Sequence, residues 1–186
     1  MMYFLAILCL FALFMIGLYN GLIKNQQRVK EAWSTIDTQL KRRYDLIPNL
    51  METVKGYMQH EQKTLEAVVQ ARANAMSVAK TDVAKKQVNE NALSNALKSV
   101  FALSENYPNL KANENFLALQ QELSDTETKI QAARQFYNTI VSSFNTKVKT
   151  FPSNLVANMF QFKEADFFEL DETEREAVQK APQVKF

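Results

Sequence analysis

His60 and Glu61 open the pattern H-E-x-x-H, in which two histidines one helical turn apart bind zinc and the glutamate acts as general base. The second histidine would stand at position 64, which is Thr64, and His60 is the only histidine in the chain. A tetrahedral zinc site cannot be assembled from these parts. His60 therefore reads as a helix-surface or helix-packing residue, and no metal or cofactor is expected. A Ser–His or Cys–His nucleophile would have to draw on the same single imidazole, and no G-x-S-x-G turn is present. Carboxylates such as Glu61 and Glu66 do not share an i,i+3 or i,i+4 face, and a di-metal carboxylate bundle needs Glu-x-x-His twice, hence two histidines. No catalytic residue is assigned, and the chain reads as non-enzymatic.

Lys41-Arg42-Arg43 has the charge to bind phosphate or lipid headgroups. Its position argues otherwise. Lys41 lies roughly 27 Å of helix beyond the apolar N-terminal run, whereas a membrane surface potential fades within about 8 Å at physiological salt. Ion pairing with acidic side chains on packed helices is the expected role, with Asp45 among the partners. Lys24, Arg28 and Lys30 are better placed for anionic lipid.

The element that must carry these residues is set by the first 23 positions. Met1 to Tyr19 is an unbroken apolar run, and the first charged side chain is Lys24. At about 1.5 Å per residue such a segment reaches roughly 34 Å, enough for a hydrocarbon core of about 30 Å. A secretory signal wants positive charge before its core and small residues at a cleavage site. Met1-Met2-Tyr3 carries no charge, no A-x-A closes the run, and Leu8 stands before Cys9 where a lipoprotein signal needs a small residue. A retained span is the reading. Its basic flank lies on the C-terminal side, so the positive-inside rule places the N-terminus outside and the following domain in the cytoplasm of a bacterial-type inner membrane. Gly17 and Gly21 form a small-xxx-small pair that lets helices approach closely, although glycine is common in spans.

Net charge is +2, which gives no strong attraction to nucleic acid. Only three glycines occur, none after Gly56, so a phosphate-cradling loop and a nucleotide ligand are not expected. Ala, Leu, Lys, Gln and Glu dominate and favour helix. From Asn25 to about Ala79 apolar residues recur at helical spacing through Trp33, Ile36, Leu40, Tyr44, Ile47, Met51, Val54, Met58, Leu65 and Val68. Pro48 either kinks this helix or, with Asp45 as a cap, breaks it near Tyr44; the unshifted spacing favours a kink. A second helix is expected from about Asp82 to Ser104, buried through Val88, Leu93, Leu97, Val100 and Phe101, with Lys86 and Glu90 paired on its outside. A third is expected from about Ala112 to Lys149. It carries a heptad of Phe116, Leu123, Ile130, Tyr137 and Phe144 alternating with Leu119, Thr126, Ala133 and Ile140, the spacing of bundles and coiled coils. Pro152 ends regularity, and Asp171 to Ala181 reads as a short solvated helix.

No segment alternates with period two. The fold class is all-α: an N-terminal transmembrane helix continuing into an antiparallel bundle of three or four long helices. The organisation is a span over 1–23, a bundle over 24–150, and an aromatic C-terminal segment with a short helix and tail over 151–186. Phe151, Phe160, Phe162, Phe167 and Phe168 are too apolar to stay in water. They either pack back on the bundle or dock a partner or the membrane surface; Phe160, Phe162, Phe167 and Phe168 are the candidate docking residues.

Three blocks resemble the signature of the LemA family of bacterial membrane proteins: EAWSTIDTQLKRRYDLIPNLMETVKGYMQHEQKTLEAVVQAR from Glu31 to Arg72, SENYPNLKANENFLALQQELSDTETKIQAAR from Ser104 to Arg134, and FNTKVKTFPSNLVANMFQF from Phe144 to Phe162. Gln26-Gln27 departs from the usual basic or Asn-containing stretch, which affects only the membrane-proximal linker. The resemblance implies a short outside N-terminus, one span and a cytoplasmic helical domain. It implies no established reaction, cofactor or ligand. The expected function is a membrane-anchored helical scaffold or assembly factor that contacts lipid through its N-terminal helix and binds a protein partner or further copies of itself. The alternative is an accessory subunit regulating a membrane enzyme such as a protease or transporter through the aromatic segment.

Overall fold

A computed structural model describes residues 1–79 and 82–168. Among the described residues six α-helices follow in order: α1 (Met2–Lys55), α2 (Gln62–Ser77), α3 (Val83–Ser104), α4 (Pro108–Lys111), α5 (Glu114–Lys149) and α6 (Ser153–Met159). Among the described residues there is no strand. The all-α class expected from the apolar periods is what the chain adopts. The short helix expected over Asp171 to Ala181 lies outside the described residues. The chain divides into two compact units, one made of Met1–Arg43 and Asp125–Phe167, the other of Tyr44–Ser124 and Phe168.

In the first unit α1 buries Leu22, Val29, Ala32, Ile36 and Leu40, and α5 buries Ile130, Ala133, Tyr137, Val141 and Phe144. Steps of three and four keep each set on one face. Each fully buried aliphatic or aromatic side chain contributes about 1.5–3 kcal/mol. The Trp33 and Tyr137 rings meet edge to face with centroids 5.5 Å apart, and Arg43 pairs with Glu127. Ten residues forward on α1 thus match ten residues back on α5, so the two segments run antiparallel. The last turns of α5 lead through Phe151-Pro152 into α6, whose Val156 and Ala157 are buried in one cluster with Leu22.

In the second unit the end of α1 buries Tyr44, Ile47, Leu50 and Val54, and α2 buries Val68 and Ala75. Along α3 the buried face is Val83, Lys86, Glu90, Leu93, Leu97, Val100 and Ser104. Asp82 caps α3 by accepting the Lys85 backbone N–H at 3.1 Å, and that bond holds its carboxyl below the usual carboxylate range. At the start of α5, Phe116 is buried and its ring lies 6.2 Å from that of Phe101.

Four expectations are corrected. The first soluble helix neither breaks near Tyr44 nor continues to Ala79: α1 runs through Pro48 to Lys55, and the break falls at Gly56–Glu61. Gly56 weakens the helix by its backbone freedom, and the N–H groups of Tyr57 and Met58 close the turn on the Val54 carbonyl at 3.0 and 2.9 Å. Met58 is buried from this turn, so the apolar spacing runs on through a segment that is no longer helix. Val88 is 67% exposed rather than buried, because the buried face of α3 passes through residues 86 and 90 instead. Lys86 and Glu90, expected outside, are 4% and 3% exposed. After Pro152 the chain does not become irregular but forms α6.

Candidate functional site

The chemistry-bearing residues fall in two places. In the second unit a polar network is built into the interior around Tyr44. Pro48 has no N–H, so it leaves the carbonyl of Tyr44, four residues back, without its helical partner. Arg72 of α2 supplies the missing donor, its Nε lying 2.8 Å from that oxygen. The Tyr44 hydroxyl donates to Glu90. Lys86 lies 3.6 Å from the same carboxylate and donates to the Ala75 carbonyl at 2.8 Å. Its ammonium also sits 5.3 Å from the centre of the Tyr44 ring, within cation–π reach. Buried charges persist where they are paired and hydrogen-bonded, and here the partners come from α1, α2 and α3. The network joins three helices through groups that in an open cleft would be acids and bases.

The sequence carried a sign of it. Val83, Lys86, Glu90 and Leu93 continue one seam at steps of three, four and three. Two charges on an apolar seam at i,i+4 mark a buried pair. Arg72 gave no such sign, since nothing in its neighbours points to a carbonyl vacated by a distant proline. Of the basic run, Arg43 is buried against Glu127 rather than Asp45, while Lys41 and Arg42 are exposed.

His60 is exposed in the turn after α1, beside an open groove lined by Met51, Lys55, Lys63 and Val69. Among the described residues no group of three or more His, Cys, Asp and Glu side chains could hold a metal ion. In the same unit the Tyr107 hydroxyl donates to Glu61 at 3.2 Å; desolvation, then this acidic partner, raises its pKa.

The second place is the end of the apolar run, in the first unit. Met15, Leu18 and Tyr19 of α1 pack with Val148 and Phe162 around Leu22, Val156 and Ala157. The Tyr19 ring lies 4.7 Å from that of Phe160 and 5.9 Å from that of Phe162. The segment after α6 is clasped to α5. Asn145 donates to the Ala165 carbonyl and accepts the Ala165 N–H, both at 2.9 Å. The Tyr137 hydroxyl donates to the Asp166 carbonyl at 3.0 Å. Burial, then the Asp166 charge, pushes the Tyr137 phenol up to about 12.

Of the four docking phenylalanines, Phe160 and Phe167 are exposed, Phe162 is half-buried in the cluster with Tyr19, and Phe168 is buried. Phe160 and Phe162 are brought together on Tyr19. Gly17 is exposed and Gly21 half-buried on the same stretch of α1. Among the described residues a Cβ at either would meet no atom within 4 Å, so no packing among them requires a glycine there. The Gly21 carbonyl accepts from the Asn25 amide at 2.6 Å.

Taken together, these features define an all-α protein whose N-terminal helix is long and apolar enough to cross a membrane and leads directly into packed helices. The model of the LemA family matches residues 32–186, and the chain belongs to that family. It is 31% identical over 176 residues to Protein LemA of Metamycoplasma hominis, a match spanning 94% of this chain and 79% of that one. Over 75 residues it is 29% identical to Magnetosome protein MamQ 1 and Magnetosome protein MamQ 2 of Paramagnetospirillum magneticum, spanning 40% of this chain and 28% of each.

Proposed function

We propose that this chain is a non-enzymatic, single-pass membrane scaffold or assembly factor, anchored by the start of α1 and presenting its helices to a protein partner or to further copies of itself. The observation that carries the reading is the continuity of α1. Met2 to Lys55 is one helix, and its buried stripe begins at Leu22, ahead of the first charge at Lys24. Packing therefore starts where the apolar run ends, with no linker between anchor and bundle. The titratable interior groups Lys86 and Glu90 are engaged with each other and with backbone and ring atoms, a use that serves helix packing rather than turnover. Lys24, Arg28 and Lys30 follow the run, and by the positive-inside rule the bundle faces the cytoplasm.

The test is native mass measurement of the full-length protein, extracted gently from its own membrane, with identification of every co-purified chain. A closed homo-oligomer or a stable complex that depends on the bundle is the expected result. A monomer without partners overturns the scaffold reading. A stoichiometric membrane enzyme whose activity changes on losing this chain replaces it with the accessory-subunit reading.

A further inference from the structure

α6 buries one side and leaves the other bare. Val156 and Ala157 face the α1 cluster. Leu155 and Met159, four residues apart, share a side of α6 and are 56% and 69% exposed, and Phe151, just before the helix, is 79% exposed. Phe160, beside Tyr19, is 53% exposed. The place of this bare face along α1 decides what covers it. Its anchor residues are Leu18, Tyr19 and Leu22, which precede Lys24 by about 9 Å of helix rise or less. A headgroup layer is about 5–8 Å deep on each side of the hydrocarbon core. α6 is held at the boundary between the two.

We infer that α6 is a second membrane contact: an interfacial helix, folded back onto the end of the span, whose Phe151, Leu155, Met159 and Phe160 enter the same leaflet that receives Lys24. This rests on the reading that α1 spans the membrane. An apolar face with basic flanks is what an interfacial helix presents to lipid. Exposed Lys147 and Lys163 flank α6 in sequence, and exposed Lys24 and Arg28 follow its contact residue Leu22 on α1. Lys149 is paired with Glu164 at 2.7 Å, which lessens its share of the charge. Tyr19, packed against Phe160 and Phe162, is of a type that membrane–water interfaces favour. A protein partner at this depth would first have to displace lipid, whereas the bilayer is already in place. Membrane attachment then has two points, one before the bundle in sequence and one after it, and the second fixes the rotation of α1 about its own axis.

Cys9, the only cysteine, lies exposed within the apolar run and serves as an internal reporter. The full-length protein is placed in vesicles of phosphatidylcholine mixed with phosphatidylglycerol and spin-labelled at Cys9, or, in a Cys9→Ser background, at Leu155→Cys, Met159→Cys or Val88→Cys. Collision with oxygen and with a water-soluble nickel chelate is then read. Labels at 155 and 159 are expected to meet oxygen freely and the chelate several-fold less often than the label at 88. If they meet the chelate as often as position 88 while Cys9 is shielded from it, the interfacial contact is overturned and the span stands. If they are shielded from both agents, protein covers the face and the inference is overturned in favour of a second copy or partner. If Cys9 itself meets the chelate, the span reading fails, and the inference with it.

Discussion

The guanidinium of Arg72 donates to the carbonyl of Tyr44 at 2.8 Å, the same carbonyl that Pro48 leaves without a helical donor. A residue 24 positions past the proline in sequence thus mends its defect from the neighbouring helix, and α1 passes through Pro48 unbroken to Lys55.

Arg72→Met is expected to lower the unfolding free energy by about 2 kcal/mol, the scale of a hydrogen bond from a charged donor. In a Pro48→Ala background the new N–H serves the same carbonyl, so the loss should shrink. Thermal unfolding of the four variants in detergent, followed by circular dichroism, closes the cycle. Additive effects would mean that the arginine does not act through this carbonyl.

Lys86 and Glu90 are a buried pair, and breaking one side leaves the other charge unpaired. Lys86→Met or Glu90→Met alone should cost about 3–5 kcal/mol. The double substitution should cost clearly less than the sum, because no lone charge remains. Urea unfolding measures both. Strictly additive losses would show that the two groups are not coupled.

Tyr137 carries a pH prediction. Its phenol titrates near 12 in the folded chain and at about 10 when unfolded. Between those values the unfolded state releases the proton first, so stability falls as pH rises through this window and is unaffected by this group below it. Alkaline unfolding of Tyr137→Phe should be less steep over that range than that of the parent. An identical profile would place the alkaline transition elsewhere. At neutral pH the substitution loses the bond to the Asp166 carbonyl, a cost of about 1 kcal/mol.

Much of the fold is legible in the sequence. The charge-free run before Lys24 marks a helix long and apolar enough to cross a membrane. The positions Phe116, Leu123, Ile130, Tyr137 and Phe144 are all buried, since a helix with one apolar stripe can hide it only by packing. The break at Gly56–Glu61 was missed because apolar spacing reports burial, and Met58 is buried from a turn. The exposure of Val88 is not legible because the buried seam of α3 runs through the charged Lys86 and Glu90. α6 is not legible from Pro152 alone, because a proline can end one helix or stand at the entry to the next.

The sequence by itself determined the class, the apolar N-terminal helix and the faces that must be covered, because periodicity and the exclusion of charge from apolar surroundings are local properties. Tertiary structure alone decided who meets whom. It set Arg72 on Tyr44, Glu127 on Arg43, the Lys86–Glu90 pair inside, and α6 on Leu22. All but the Lys86–Glu90 pair, which lies within α3, join different helices, and a side chain's hydrogen-bonding need does not name the partner that will meet it.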